Sequence, residues 1–576
     1  MLKSLLAVAG LAVATTAAPA VAQTVELEFL GRYETGAFDE GAAEIVAFDK
    51  ASGLAFVVNA LANTVDALNI DDPSNPTLAF TIDLSPYGAG VNSVAVSNGL
   101  VAMAVEAGVK QDPGQAVFFD TAGNFKAAVE VGALPDMITY TPDGRYALVA
   151  NEGEPNADYT IDPEGSVSVI RIRPHGRITQ RDVRTADFGR IRARDLDDSV
   201  RIFGPGASIA QDLEPEYITV DADSRTAYVV CQENNAMVEI NIPAARVTDI
   251  WGLGVKNHAR VGNALDASNR DGGINITNWP VSGYFLPDSI ASYQVGRDTF
   301  IVTANEGDAR DYDGFGEEAR VGDLDLDPVA FPDAATLQLD ENLGRLNITT
   351  TAGDTDGDGD FDQLFSYGAR SFSIFDTTGR LIFDSGDDLE RITAMLIPDN
   401  FNSTNDENDT FDNRSDDKGP EPEAIALGTI GDNTYAFIGA ERVGGIFVYD
   451  ITDPRSPIFE SYTNSRDFSG DPELGTAGDL GPEGIVFIPA DDSPTGEALL
   501  LVAHEISGTT AIYRVTGGGC TVFGDVDGDC QVTVYDVLQV VHALGTTCTG
   551  CPEDLNEDGR VGVLDLLLVL RAWRDQ

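Results

Sequence analysis

Short apolar runs alternate with polar turns along most of this chain, and helical spacing of apolar residues is confined to its C-terminus. The runs recur in a longer unit. An acidic or Pro-acidic start leads into a β-rich run, and about 14–20 residues later comes Asn-Glu or a lone Glu after apolar residues. A further strand then alternates aliphatic or aromatic with polar positions. Clear copies start at Pro135 ("PDMITYTPDGRYALVANEGEP", then "GSVSVI"), Pro215 ("PEYITVDADSRTAYVVCQENNAMVEINI") and Pro287 ("PDSIASYQVGRDTFIVTANEGDAR"). The Pro287 copy reaches its outer strand, "RSFSIFD", only after a long insertion. Two more start at Pro422 ("PEAIALGTIGDNTYAFIGAERVGGIFVYDI") and Pro482 ("PEGIVFIPADDSPTGEALLLVAHEISGTTAIYRV"). Weaker copies start at Ala43 and Val91, which makes seven. Each holds about three strands, with room for a fourth, and cannot bury both faces alone. The pattern predicts an all-β, seven-bladed β-propeller over residues 23–516, with a β-sandwich array or two smaller domains as the alternative.

In a propeller the first strand of each blade lines a central channel. The acids after proline, Asp136, Glu216, Asp288, Glu423 and Glu483, are expected near its entrance. The acids of the second motif, Glu152, Glu233, Glu306, Glu441 and Glu505, are expected at the same face. Like charges held that close need a cation or an arginine among them. Arg310, Arg414, Lys418, Arg442 and His504 lie beside these motifs. The candidate channel site is Glu152, Glu306, Arg310, Glu441, Arg442 and Glu505, binding a cation, calcium or a further divalent metal, or an anion. A ring of salt bridges and turn caps that merely closes the blades is the competing reading.

The C-terminus differs in kind. Two segments carry carboxylates or amides at positions 1, 3, 5 and 12 of a loop, each followed by an apolar helix, "VLQVVHAL" and "LLLVLRAW". In the first these are Asp525, Asp527, Asp529 and Asp536, in the second Asp554, Asn556, Asp558 and Asp565. The carbonyls of Gln531 and Arg560 at position 7 add a ligand to each. A hard cation takes six or more oxygens, and these offsets wrap one loop around it, so both segments are predicted to bind calcium. Position 8 is valine in both, as expected if the two loops pair through a short β-bridge. With aspartate rather than glutamate at position 12, residues 520–576 resemble a dockerin type I module. The resemblance implies a cohesin-like or cell-surface protein partner. Cys530 replaces the usual glycine of loop one, and Val534-Tyr535 and Val563-Leu564 stand where dockerins commonly read their partner.

Charge sharpens this picture. Acids number 94 against 36 bases, a formal net charge of −58. Such a chain repels nucleic acid and attracts cations. Lys3, the apolar stretch Leu5–Ala14 and Ala20-Val21-Ala22 before Gln23 read as a signal peptide over residues 1–22, and no other run is apolar enough for a membrane anchor. The expectation is a secreted protein, attached at the cell surface. Cys231 sits in the apolar run "AYVVC" and reads as core. Cys520, Cys530, Cys548 and Cys551 read as disulfide cysteines, with three pairings open. Gly517-Gly518-Gly519 reads as a hinge before the 520–576 module.

Two insertions are rich in acids. "DTDGDGDFD" alternates Asp354, Asp356, Asp358, Asp360 and Asp362, a candidate calcium loop without an acid at position 12. "NDENDTFDNRSDDKGPEPE" at 405–423 has no clean ligand pattern and reads as a solvated loop. Residues 25–516 also carry "LEPEYITVD", "GNALDASNRDGGINI", "TANEGDARDYDGF", "FDSGDDLERIT", "RSDDKGPEPE" and "GDLGPEGIVFI". On these motifs the region resembles the choice-of-anchor I domain, a family of exported proteins related to mesenchyme-specific cell-surface glycoproteins. The family joins such domains to varied surface-sorting tails, and some relatives are labelled alkaline phosphatase. The modular layout, the many calcium-type loops and the lack of a clear nucleophile put a non-catalytic, calcium-stabilised surface or matrix protein, attached through its tail, first. A metal-dependent phosphomonoesterase comes second and a dockerin-borne polysaccharide hydrolase third. The chain has no Gly-x-Ser-x-Gly elbow and no His-Glu-x-x-His helix.

Overall fold

The computed structural model describes residues 24–518, 526, 532–547, 551, 553–556 and 559–575. The chain divides into two compact units, one of residues 27–515 and one holding the residues from 516 onward together with those before 27.

Within the first unit lie seven four-stranded antiparallel sheets. Six are made of consecutive segments or nearly so. Their first strands are Val46–Asp49, Gly90–Ser97, Pro135–Tyr140, Ile218–Val220, Ile290–Val295 and Pro422–Ile430. The seventh runs Pro482–Ile488, Leu499–His504, Thr509–Gly518 and then Thr24–Glu34, so the N-terminal strand completes the last sheet. This closure leaves no sequence signature in the repeat, because the pairing joins opposite ends of the chain. The seven first strands pack in a cycle, each against the next, with Pro482–Ile488 returning to Val46–Asp49. Apolar residues fill the spaces between neighbouring sheets. Phe56, Val65, Val101 and Met103 lie between the first and second, and Leu148, Val167, Val229 and Val238 between the third and fourth. The second and third strands are largely buried on both faces because both faces meet a neighbour, with serines at some of the buried positions of Ser166–Arg171 and Ser371–Asp376. The result is an all-β, propeller-like unit.

"RSFSIFD" forms the third strand of the fifth sheet, Ser371–Asp376, after an insertion that starts at Glu306. Segments 253–287, 306–370 and 385–421 all leave and rejoin the sheets at the end where the second strands finish. They have structure of their own. Val255–Asn257, Ser282–Tyr284 and Phe365–Ser366 form a small sheet, Glu318–Arg320 pairs with Asn347–Thr349, and Leu265, Val321, Leu343 and Ile348 share a core.

The second unit contains the helices Val534–Ala543 and Val563–Asp575. Val526, Val532, Val540, Val561 and Val569 form its apolar core. Gly517 and Gly518, expected in a hinge, continue the strand Thr509–Gly518. The preceding Thr516 is tied to the N-terminal strand through its hydroxyl, which donates to the Glu26 carbonyl. No helix among the described residues is long and apolar enough to cross a membrane. The expected signal peptide at 1–22, Gly519, Cys520, Cys530 and Cys548 lie outside the described residues. Cys551 is not free, and Cys231 is a free, buried thiol.

Candidate functional site: a carboxylate-lined mouth

Strand register decides which acids meet. In each sheet one aliphatic residue of the first strand pairs with the second strand: Val46 with Val57, Val94 with Met103, Ile138 with Val149, Ile218 with Val229. The remaining pairs are Ile290 with Thr303, Ile425 with Ile438 and Ile485 with Val502. Two residues before the first partner lie Glu44, Asn92, Asp136, Glu216, Asp288, Glu423 and Glu483. Three residues past the second lie Ala60, Glu106, Glu152, Gln232, Glu306, Glu441 and Glu505. Register therefore puts Gln232, not the expected Glu233, in the second series. It also adds Glu44 and Glu106, which the weaker first two copies concealed.

The backbone that aims these groups is repeated and strained. Leu134, Leu286, Glu421 and Gly481, each just before the motif proline, have φ of 44°, 42°, 52° and 68°. Only glycine adopts that region readily. Three of their carbonyls accept the N–H of the second-series glutamate: Leu134 from Glu152 at 2.9 Å, Glu421 from Glu441 at 2.8 Å, and Gly481 from Glu505 at 2.9 Å. A bulge follows between Pro135 and Ile138, Pro422 and Ile425, and Pro482 and Gly484. Such bulges re-aim side chains, here the acids that follow proline.

These acids surround a cavity of about 310 Å³ lined by Glu44, Glu106, Asp136, Glu152, Asp288 and Glu483, among others. Lys110 is the single basic side chain among its described lining residues. A second cavity of about 290 Å³ is lined mainly by aliphatic and aromatic residues of the first strands, among them Val46, Val94, Ile138 and Ile485. Burial, then the charges of Glu505 and Asp136, push Glu44 up to about 8. Burial and then Glu154 push Asp136 up to about 7. Glu152, Glu216, Asp288, Glu423 and Glu483 are held well above the usual carboxylate range, first by burial and then by neighbouring carboxylates.

On one side of the mouth, cations meet the acids. Lys418 Nζ lies 2.6 Å from Glu306 and 3.1 Å from Glu421. Arg442 lies 3.0 Å from both Glu421 and Glu441, and Arg414 lies 2.8 Å from Glu421. Burial pushes Glu421 up, but the charges of Lys418, Arg414 and Arg442 outweigh it and hold it at about 2. Glu441 stays well above its ordinary value, raised by burial against the pull of Arg442. Carboxylate oxygens of Glu306, Glu421 and Glu441 lie within 4.8 Å of one another, as do those of Asp288, Glu306 and Glu423. Glu505 feels the charges of both Arg442 and Glu306. Arg310, in contrast, is committed. It is 1% exposed and ion-pairs with Asp212 and, at 2.7 Å, with Glu214. His504 is buried, and burial lowers its pKa.

Residues 44–454 match the choice-of-anchor I domain model. The chain belongs to the choice-of-anchor I family. Gigasin-3a of Magallana gigas is 36% identical to this choice-of-anchor I protein over 197 residues, 32% of this chain and 68% of that protein. A mesenchyme-specific cell surface glycoprotein of Strongylocentrotus purpuratus is 28% identical over 290 residues, 44% of this chain but only 37% of the relative's length. Among solved structures, Kuenenia stuttgartiensis hydrazine synthase aligns with a TM-score of 0.42 at 12% identity, covering 84% of this chain and 99% of that one. The Cps50 (Swd1) β-propeller domain of Myceliophteria thermophila aligns at 0.40 and 8% identity, covering 85% and 100%.

Two further acid groups lie outside the mouth. In the choice-of-anchor I domain, the 354–362 loop brings together oxygens of Asp354, Asp356 and Asp362, and separately of Asp327, Asp360 and Asp362. Asp358 is in neither set, and Asp327 was not singled out in the sequence. The Gly359 N–H donates to Asp354, five residues earlier, at 3.1 Å. The C-terminal unit has the same contact: the Gly559 N–H donates to Asp554 at 2.8 Å. There Asp536 accepts from the N–H of Val526 and Thr533, and Asp565 from that of Asn556 and Gly562. Asp536 and Asp565 are fully buried. The recorded bridge joins Thr547 to Arg560, beside Val561. Asp525, Asp527, Asp529, Gln531 and Asp558 lie outside the described residues. The 405–423 segment, expected to be solvated, is largely buried. Asn405, Asp412, Asp416 and Lys418 are all under one-tenth exposed, and Asn405 bonds Glu441 at 2.8 Å.

Proposed function

We propose that this choice-of-anchor I protein is an exported surface or matrix component, a seven-bladed propeller that holds calcium or another divalent cation at its channel mouth. One observation carries the reading: acids from equivalent positions of successive sheets face one cavity with a single lysine among its described lining residues. Like charges so placed destabilise the fold until protons or a cation neutralise them. Carboxylates, without histidine or thiolate, suit a hard cation. The relative named as a cell surface glycoprotein supports the location.

The test is the melting temperature of the full chain with Asp536→Asn and Asp565→Asn, which disable the C-terminal loops. Calcium should raise it relative to chelator, since a ligand that binds only the native state stabilises it. An unchanged melting temperature removes the channel site.

The C-terminal unit is proposed to be a dockerin-like, calcium-loaded attachment module. Its second helix exposes Val563, Leu564, Leu567, Leu570 and Trp573, an apolar face for a cell-surface partner such as a cohesin-like domain. Calcium-dependent retention on cohesin beads, lost in Leu564→Asp, is the expected result. No retention at all excludes a cohesin.

The phosphomonoesterase reading ranks lower for a structural reason. Arg310, one of the two arginines suited to a phosphoryl oxygen, is occupied by Asp212 and Glu214, leaving Arg442. Release of phosphate from a phosphomonoester with divalent metal supplied, abolished by Arg442→Ala, would reverse that ranking.

A further inference from the structure

Glu233 falls one residue beyond the series of mouth glutamates, and the offset has a consequence. Gln232 takes the series position and donates from Nε2 to Glu306 at 2.8 Å. The chain then turns through Asn235, with φ of 51°, and the Asn235 N–H returns to the Gln232 carbonyl. Asn234 clamps a neighbouring segment to this turn. Its Oδ1 accepts the Glu214 N–H at 3.1 Å, and its Nδ2 donates to the carbonyls of Arg201 and Asp212. Glu214 and Glu233 are thereby fixed beside Glu152 of the third sheet, and oxygens of the three lie within 4.8 Å of one another.

Two of these oxygens have no hydrogen-bond partner. Glu214 Oε1 and Glu233 Oε2 are buried without a donor, in side chains of residues 1% and 6% exposed. A buried carboxylate oxygen left so is costly. Arg310 does not supply the missing partner. It binds the other oxygen of Glu214, and so orients Oε1 rather than satisfying it. Glu154 adds further negative charge, and Glu216 shares a hydrogen bond with Glu233.

We propose that Glu152, Glu214 and Glu233 form one buried site for a divalent hard cation of the calcium class, with Arg310 as a positioning residue for Glu214. With Glu214 Oε2 held by Arg310, the three carboxylates offer up to five oxygens and no nitrogen or sulfur, and water would complete the oxygen shell such an ion takes. Calcium–oxygen distances of about 2.3–2.6 Å put ligands on opposite sides of the ion about 4.6–5.2 Å apart, and the oxygens of this group, all within 4.8 Å of one another, are close enough to share one ion. The proposal rests on the channel reading above but names one site within it.

The experiment counts calcium ions on the full chain by native mass spectrometry, in a background carrying Asp536→Asn and Asp565→Asn. Glu233→Gln and Glu152→Gln should each lose one ion relative to that background, while a substitution at an exposed acid outside the mouth, such as Asp249→Asn on the strand Arg246–Gly252, keeps it. Folding is controlled by melting in chelator, where Glu233→Gln should melt at or above the parent because it removes a buried charge. Terbium supplies a second readout. Tyr312 lies in the electrostatic field of all three glutamates, so Tyr312→Phe should reduce tyrosine-sensitised terbium emission while the ion count is kept. An unchanged ion count in both glutamine variants overturns this site and leaves the channel reading standing. A parent that binds no ion overturns both, and shows that protons alone neutralise the group.

Discussion

The 354–362 loop and the channel mouth are comparably dense in carboxylates, yet they are built in opposite ways. In the loop, alternate residues of one short segment supply the acids. Asp354, Asp356 and Asp358 are exposed, and much of the negative charge meets backbone N–H groups such as those of Thr355, Gly357 and Gly359. At the mouth, single acids come from successive sheets, tens of residues apart; Glu216, Glu306 and Glu441 are buried, and Glu44, Asp136, Glu152, Asp288 and Glu483 are half-buried around one cavity. The loop's acids repel one another through water. The mouth's acids repel one another at low dielectric, where the same separation costs several times more. Acid density along the sequence therefore marks a loop, while acid density in space is set by register.

This contrast is broken most severely by Arg310→Met. The substitution leaves Asp212 and Glu214 buried without their partner, so unfolding in urea should show a loss of about 3–5 kcal/mol. A loss below about 1 kcal/mol would mean that the buried acids relax as freely as the exposed ones.

A smaller effect is expected from pH. Asp266 and Asp412 lie together in the insertions, with Glu390 acting on both. Burial, first of all, pushes them up to about 8 and about 7. A carboxyl whose folded pKa exceeds its unfolded value binds its proton more tightly when folded. That stability is fully present below the ordinary value of 3.8 and is lost as pH rises through about 7 and 8. In chelator, the melting temperature should fall between pH 5 and 8.5, and Asp266→Asn should flatten the fall. Equal slopes in parent and Asp266→Asn would contradict the burial argument.

The smallest effect belongs to Asp356→Asn. Its group is exposed, and its upward shift comes first from Asp358. In chelator, its melting temperature should be indistinguishable from the parent's.

Much of the fold was legible because five of the seven copies announce their first strand with proline and an acid, and most announce their second with an apolar run ending in glutamate. The seven copies correspond to seven observed sheets. What stayed hidden was whatever depends on contacts between distant segments. Thr24–Glu34 joins the seventh sheet from the far end of the chain. Glu214 lies just before its motif proline, where nothing in the spacing separates it from an ordinary loop acid. Glu233 reads as an equivalent of Glu152 because each is the glutamate that follows an apolar run, but register gives that place to Gln232. Arg310 looks free beside "NEGDAR", and only the packed 201–214 segment shows that it is occupied. The 405–423 segment reads as solvated because it is polar, yet its polar groups bond one another and the mouth.

On the proposed reading, carboxylates of the mouth hold a cation, and anomalous diffraction from crystals of the full chain grown with terbium would locate it. A terbium peak is expected within about 2.5 Å of mouth carboxylate oxygens, in addition to peaks in the C-terminal loops. Terbium confined to the C-terminal loops and the 354–362 loop, with none at the mouth, would contradict it.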